Sequence, residues 1–321
     1  RAMPADPRAR DMPARPGAPG RAQRLSGGVT RILAPNPSAM TGPGTNTYLL
    51  GTGTGIAVID PGPDSPEHLR AIRDALGPGR HVSHVLVTHA HLDHSAAAPR
   101  LAAEWDAPLV AFGDPESGRS EAMQRLAAAA PLGGGEGVDH GLVADQRLTD
   151  GAHVTGDGWQ LVAHWMPGHL GDHMCFQLGA TVFSGDLVMG WASTLISPPD
   201  GDLTDFLASC ARLRRLGARR LLPGHGPAVT DPRARIDWLV AHRVARTRAI
   251  LQTLATDGPM DAGCLARAIY TDTPAALLPA AERNVLAHLI DLCSSGKVLP
   301  LDRMSAAARF ALCPPTTPGT A

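Results

Sequence analysis

Between Thr88 and His94 the chain reads Thr-His-Ala-His-Leu-Asp-His, so His89, His91, Asp93 and His94 place four metal-binding side chains within six residues. With 14 histidines in the whole chain, such density is not incidental. Imidazole nitrogen suits zinc, and carboxylates join it at about 2.0–2.2 Å. In a loop at a strand end, alternate residues can face one cavity, and a helical turn after them returns Asp93 and His94 to it. Three more candidates follow small-residue turns: His169 in Pro167-Gly168-His169, Asp186 in Ser184-Gly185-Asp186, and His225 in Pro223-Gly224-His225-Gly226. A lone histidine after a strand is more often an ordinary hydrogen-bonded surface residue, so these three carry weight through their order behind the cluster. Asp186 offers a carboxylate able to bridge two cations. No Ser or Cys stands in a convincing nucleophile triad, and the chemistry indicated is hydrolysis by metal-activated water.

Each of these groups follows an apolar run that must position it. Val85-Leu86-Val87-Thr88 leads into His89, Gln160–Trp165 precedes His169, Thr181–Ser184 precedes Asp186, and Leu221-Leu222 precedes His225. Further strands are predicted at Thr47–Leu50 and Ile56–Ile59, divided by Gly-Thr-Gly-Thr-Gly, and at Leu109–Ala111 and Met174–Leu178. Leu69, Ile72 and Leu76 mark a helix stopped by Gly77-Pro78-Gly79. An Ala-rich helix near 95–105 and an amphipathic one through Phe206, Leu207, Cys210, Leu213 and Leu216 follow. Residues 112–150 read as a Gly-rich irregular stretch. Interleaved strands and helices, with chemistry on strand-end loops, indicate an α/β fold.

A chain of 321 residues exceeds one comfortable core, so two folded units with tails are expected. Residues 1–28 are Arg, Pro, Ala and Gly with little to bury, and are expected to form a mobile tail. The first unit then occupies 29–232, the second 233–313, and a short tail 314–321. In the second unit, helices are predicted over 236–255, 261–270 and 279–295, the last with Leu286, Leu289, Ile290 and Cys293 at i, i+3, i+4 and i+7. A β-pair at Val298-Leu299 and Phe310–Leu312 closes it, which is winged-helix order.

Charge is nearly balanced, with Lys+Arg 29 against Asp+Glu 30, a net −1 that neither advertises nor excludes a nucleic-acid partner. Residues 233–303 are not markedly basic and Lys297 is the sole lysine, whereas strong phosphate binding wants a visible excess. Cys175, Cys210, Cys264, Cys293 and Cys313 are scattered, which argues against a disulfide framework and for small buried hydrophobes in a reducing compartment. No apolar run approaches the roughly 20 residues needed to span a bilayer, and no secretory signal is visible. The reading is a cytoplasmic protein with no membrane association.

In this order, Asp60, His89–His94, His169, Asp186 and His225 resemble the five motifs of the metallo-β-lactamase superfamily. The resemblance implies an αββα sandwich, here with a C-terminal winged-helix domain, and two Zn²⁺ ions per chain. His89, His91 and His169 would hold one ion, Asp93, His94 and His225 the other, with Asp186 bridging. Asp60 would orient the ligand loop by hydrogen bonds. A hydroxide shared by ions about 3.5–4 Å apart would be the nucleophile, with Asp93 and Asp186 as the catalytic carboxylates. His91 stands where flavodiiron-type oxidoreductases place a carboxylate, which favours zinc over a di-iron redox centre.

Gly44–Leu49, the run Asp172-His173-Met174 after His169, and the tail motifs Tyr270, Asp272-Thr273-Pro274, Arg283–Leu289 and Gly296-Lys297-Val298 resemble the lactamase-beta-like protein 2 branch over roughly 30–300. That branch implies endonucleolytic cleavage of single-stranded RNA. The interval between Asp186 and His225 leaves no space for the inserted domain of β-CASP nucleases. His169 followed by Gly171-Asp172-His173 also resembles hydroxyacylglutathione hydrolases, so thioester or lactone hydrolysis stands as the alternative. Asp172 and His173 read equally as a proton relay and as a satisfied structural pair. A winged helix also serves as a packing or homodimerisation module. Specificity is expected in the loops at 36–46, 112–150 and 190–203, where Trp191 and Ile196–Pro199 would line the cleft.

Overall fold

The computed structural model describes residues 17–129 and 131–314. A seven-stranded sheet runs in the order β1 (Ala22–Arg24), β2 (Val29–Leu33), β3 (Asn46–Leu50), β4 (Gly55–Ile59), β5 (His81–Leu86), β6 (Leu109–Ala111) and β7 (Gln146–Arg147). A five-stranded sheet faces it, formed by β8 (His153–Gly156), β9 (Trp159–Trp165), β10 (Met174–Leu178), β11 (Thr181–Gly185) and β12 (Arg220–Pro223). Strand pairing turns from antiparallel to parallel at β4–β5 in the first sheet and at β11–β12 in the second.

Period-2 alternation explains why the central strands are apolar along their length. In β4, Ala57 and Ile59 face the second sheet while Ile56 and Val58 face outward, under helices α1 (Pro66–Leu76) and α3 (Ala98–Trp105). In β10–β12, Phe176, Phe183 and Leu222 fill the space between the sheets. Cys175, Val182 and Leu221 face the other way, onto α5 (Leu203–Arg215) and the first half of α6 (Pro232–Asp257). Both faces of the central strands are therefore covered, an αββα sandwich, while the edge strands β1, β7 and β8 stay largely exposed.

The C-terminal helices are α6, α7 (Ala262–Ile269) and α8 (Leu278–Ser294), followed by the pair β13 (Val298–Pro300) and β14 (Phe310–Leu312), as a winged helix requires. Their core gathers Ile250, Leu254, Leu265, Val285, Leu286, Leu289 and Phe310. It also takes in Met123 and Leu132 from the segment between the two sheets.

Two expectations change. The tail expected over 1–28 is not one throughout: Ala22, Gln23 and Arg24 pair with Ile32, Arg31 and Thr30, across a turn in which Gly27 and Gly28 both have positive φ. The edge of β2 takes up this polar strand by main-chain pairing, with Leu25 beside it packed on the core between the sheets. The remainder of that expectation, residues 1–16, lies outside the described residues, as do 315–321 of the C-terminal tail. The stretch 112–150 is not irregular throughout, since it holds α4 (Glu121–Ala129) and β7. Among the described residues no helix is long and apolar enough to cross a membrane. The five cysteines are free, Cys175 and Cys210 buried and the other three half-buried, so only the first two match the buried hydrophobes expected.

Candidate metal centre

The candidate residues stand at strand ends and on the single helical turn that follows one of them. β5 runs through Val87 and Thr88 into His89, β9 through Pro167-Gly168 into His169, β11 into Asp186 and β12 into Gly224-His225. His91 caps the single turn α2 (Leu92–Ser95), which folds Asp93 and His94 back toward His89. Asn46, at the start of β3, ties the sheets together here: its side-chain NH₂ donates to Pro223 and Gly226 carbonyls at 3.0 and 2.9 Å. Gly224 has no alternative, because a Cβ there would lie 2.4 Å from Asp186 Oδ1 and 2.5 Å from His94 Cε1.

Two donor sets converge. In the first, His89 Nε2 and His169 Nε2 lie 3.0 and 3.1 Å from His91 Nδ1. In the second, Asp93 Oδ2 lies 3.1 Å from His225 Nε2 and 3.3 Å from His94 Nε2, and the two Nε2 atoms are 3.3 Å apart. Asp186 stands between, with Oδ2 at 3.3 Å from His225 Nε2 and 3.8 Å from His169 Nε2, and Oδ1 at 3.6 Å from His94 Nε2. Zinc–nitrogen bonds of about 2.0–2.1 Å in tetrahedral geometry put neighbouring donors about 3.3 Å apart. The spacing therefore fits a small cation in each set. Asp186 Oδ1 is buried with no hydrogen-bond partner, as an oxygen reserved for a cation would be.

The outward nitrogens are tied to oxygen, a pattern that fixes tautomer and aim in metal-binding histidines. His94 Nδ1 meets Asp60 Oδ2 at 3.0 Å, His169 Nδ1 meets the Leu195 carbonyl at 2.6 Å, and His225 Nδ1 meets the Gly44 carbonyl at 3.2 Å. His89 Nδ1 lies 2.9 Å from Thr88 Oγ1, whose hydroxyl donates to Asp60 Oδ2 at 2.8 Å. Asp60 also accepts the Thr88 N–H at 2.8 Å, and its own backbone sits in the left-handed region, φ 51°, where Asp is tolerated better than most residues. Its anticipated orienting role has this geometry behind it.

Electrostatically the sets differ. Burial holds His89 and His91 below the ordinary histidine range, His91 at about 3, and lowers His169 too. Burial also disfavours the cations of His94 and His225, but Asp93 and Asp186 offset it, lifting His94 well above its usual value and His225 to about 9. Asp186 is buried and Asp93 half-buried, which opposes ionisation, yet the neighbouring His94 and His225 hold both carboxyls well below the usual range.

Asp172 and His173 each act on a ligand-loop backbone. Asp172 Oδ2 accepts the Ala90 N–H at 3.0 Å and His173 Nε2 accepts the Asp186 N–H at 3.2 Å. Sequence reasoning gave no role to Thr45, which donates to Asp93 Oδ2 at 2.9 Å, or to Thr88. Both stand inside motifs that were visible, without a signal for their partners. The Leu195 and Gly44 carbonyls had no signal at all.

Residues 40–225 match the family described as the metallo-beta-lactamase superfamily, and 263–305 the beta-lactamase associated winged helix domain. A beta-lactamase-like protein 2 homolog of Caenorhabditis elegans is 31% identical over 281 residues, 86% of this chain and 88% of the relative. An atrochrysone carboxyl ACP thioesterase of Aspergillus fumigatus is 32% identical over 234 residues, 72% of this chain and 66% of that one. A metallo-beta-lactamase family protein from Thermus thermophilus has a crystal structure similar at TM-score 0.72 and 26% identity, covering 89% of this chain and 98% of that one.

Proposed function

The chain belongs to the metallo-beta-lactamase superfamily and is a metal-dependent hydrolase, and we propose that it works with two zinc ions on single-stranded RNA. Asp186 carries the two-ion reading: its Oδ2 stands between His169 of one donor set and His225 of the other. His89, His91 and His169 would hold one zinc, Asp93, His94 and His225 the second, and Asp186 both. When bound, the ions provide an activated water at neutral pH and polarise the scissile bond.

The chain's own residues aim and shield that chemistry. Asp60, Thr88, and the Gly44 and Leu195 carbonyls hold the outward ring nitrogens of four histidines, so the inward lone pairs need no reorganisation. His94 and His225 are closed to solvent, at 0 and 3% side-chain exposure, which strengthens every charge interaction at the centre. Asp93 is the opening, 28% exposed, and is placed to hold or pass on the proton that water activation releases.

The RNA reading is supported by likeness to the lactamase-beta-like protein 2 branch over both the sandwich and the winged-helix region. Trp191 adds an aromatic group at the rim, packed over Gly42 and over Gly226, the residue after His225. Base stacking on such a ring contributes about 1–3 kcal/mol. Arg235, Arg243 and Arg283 of the C-terminal helices donate to backbone carbonyls of residues 132 and 189–198, so they are engaged inside the protein. On this reading these three arginines add no phosphate contact, and a shallow salt dependence is expected.

Acyl-thioester hydrolysis is the second reading, favoured by the likeness to the Aspergillus thioesterase and by exposed Met40 and Leu92 beside the ligand loops. Zinc-loaded protein incubated with labelled single-stranded RNA and with an acyl thioester, against Asp93→Ala as control, separates the two. Cleavage of RNA above the control, weakening as salt rises, is expected. Thioester hydrolysis without RNA cleavage transfers the assignment to the second reading.

A further inference from the structure

Arg283 and Asn284 belong to a sequence motif that the metal centre does not absorb, yet both reach from α8 to the loop beside it. Asn284 Oδ1 accepts the Ile196 N–H at 3.1 Å and the Arg243 Nη1–H at 3.0 Å. Both partners can only donate, so the atom facing them is the amide oxygen, and its NH₂ donates to the Ala280 carbonyl at 3.2 Å. Arg243, buried on α6, also donates through Nη2 to the Thr194 carbonyl. Residues 194 and 196 are thus both held by one Asn–Arg pair from two C-terminal helices.

Leu195 lies between them, and its carbonyl accepts from His169 Nδ1. A carbonyl can only accept, so Nδ1 carries the ring hydrogen and the Nε2 lone pair is left facing His91 and Asp186. The other side of the His169 turn is confined as well. The Gly168 carbonyl accepts the Asp202 N–H at 3.0 Å, and a Cβ on Gly201 would lie 2.8 Å from the His169 carbonyl. The loop 194–202 therefore wraps His169, and its one carbonyl contact to the ring is the part set by Asn284 and Arg243.

From this we infer that Asn284 and Arg243 are positioning residues for His169, by which the winged-helix unit fixes the tautomer and aim of one metal ligand. The inference rests on the two-zinc reading for which ion is affected, but not for the state of the imidazole itself. A role confined to packing would lower stability and leave the His169 tautomer and the ratio of the two zinc affinities unchanged.

The test uses the full chain as wild type, Asn284→Ala and Asn284→Asp, the last keeping an acceptor for Ile196 and Arg243. Asn284→Gln, which displaces the oxygen by one methylene, replaces the alanine variant if that fails to fold. Imidazole ¹⁵N shifts of His169 are read in metal-free protein, and stepwise zinc affinities by chelator competition, with His169→Ala marking which ion depends on this ligand. Wild type and Asn284→Asp are expected to show one Nδ1–H tautomer. Asn284→Ala is expected to show a mixture and to weaken the His169-dependent zinc about tenfold, the low end for partners of metal ligands, with the other zinc unchanged. A wild-type tautomer and unchanged affinities in Asn284→Ala overturn the inference, as does an equal fall in both affinities. If wild type binds a single zinc, the two-ion reading fails, and the imidazole spectrum still decides the positioning role.

Discussion

The two donor sets around Asp186 are held by different parts of the chain. The set of Asp93, His94 and His225 leans on Thr45, Asp60 and the Gly44 carbonyl, all in or beside β3 and β4 of the first sheet. The set of His89, His91 and His169 shares Asp60 through Thr88, but its His169 leans on Leu195, in the loop gripped from α6 and α8. Charge divides them too. Burial disfavours the cations of the three-histidine set, while the Asp93 and Asp186 carboxylates favour those of His94 and His225. Protons therefore compete with a cation more strongly in the Asp93 set than in the three-histidine set.

The largest effect expected is at the group the sets share. Asp186→Ala should lower turnover roughly 10³-fold or more while thermal melting still reports a folded chain, because the carboxylate common to both sets is gone. Near-wild-type turnover would break the two-set description. Next in size is pH. Against the effect of burial, the Asp186 and Asp93 carboxylates push His225 up to about 9, so zinc binding to its set should displace a proton at neutral pH. Affinity there should rise about tenfold per pH unit per proton, at least about 100-fold between pH 6 and 8. The three-histidine set, whose members are all lowered, His91 to about 3, should show a shallower profile. Zinc titrations at three pH values giving equal slopes would erase the contrast. Stability of the metal-free chain runs the opposite way: the raised His225 contributes fully below its ordinary 6.5 and loses that contribution as pH climbs through about 9.

Smaller effects sharpen the map of supports. Asp60→Asn should weaken zinc about 10–100-fold, in both sets, because His94 and, through Thr88, His89 depend on that carboxylate. Calorimetric titration showing loss from one set alone would remove Asp60 from the other. Thr45→Val should cost only about two- to fivefold, confined to the Asp93 set, matching one hydrogen bond of about 0.5–1 kcal/mol. A change in the His169-dependent zinc would contradict that confinement.

The candidate ligands were legible because each sits behind an apolar strand and is of a type with few other uses in such numbers. Val85–Thr88 into His89 is a local pattern, and local patterns survive without a fold. The supports were not legible, since a main-chain carbonyl such as that of Leu195 looks the same in every sequence. Thr45 and Thr88 were visible as residues, but their partners, Asp93 and Asp60, are brought to them by tertiary structure. In the fold, β1 escaped notice because Ala22, Gln23 and Arg24 are all exposed and show no alternation of apolar residues. Helix α4 escaped for a related reason: of Glu121–Ala129 only Met123 is buried, so no apolar stripe marks it.

Met123 has a consequence for how the molecule comes apart. Together with Leu132 it completes the core formed by Ile250, Val285, Leu289 and Phe310, while Arg303 donates to the Ala129 carbonyl of the same segment at 2.6 Å. The later helices therefore borrow part of their interior from a stretch of chain that leaves β6 and returns to β7. Melting of the C-terminal helices would strip that stretch of its cover, and unravelling of the stretch would open a hole among the helices. Shared packing of this kind predicts that the two parts unfold together, so a denaturation profile should trace a single transition.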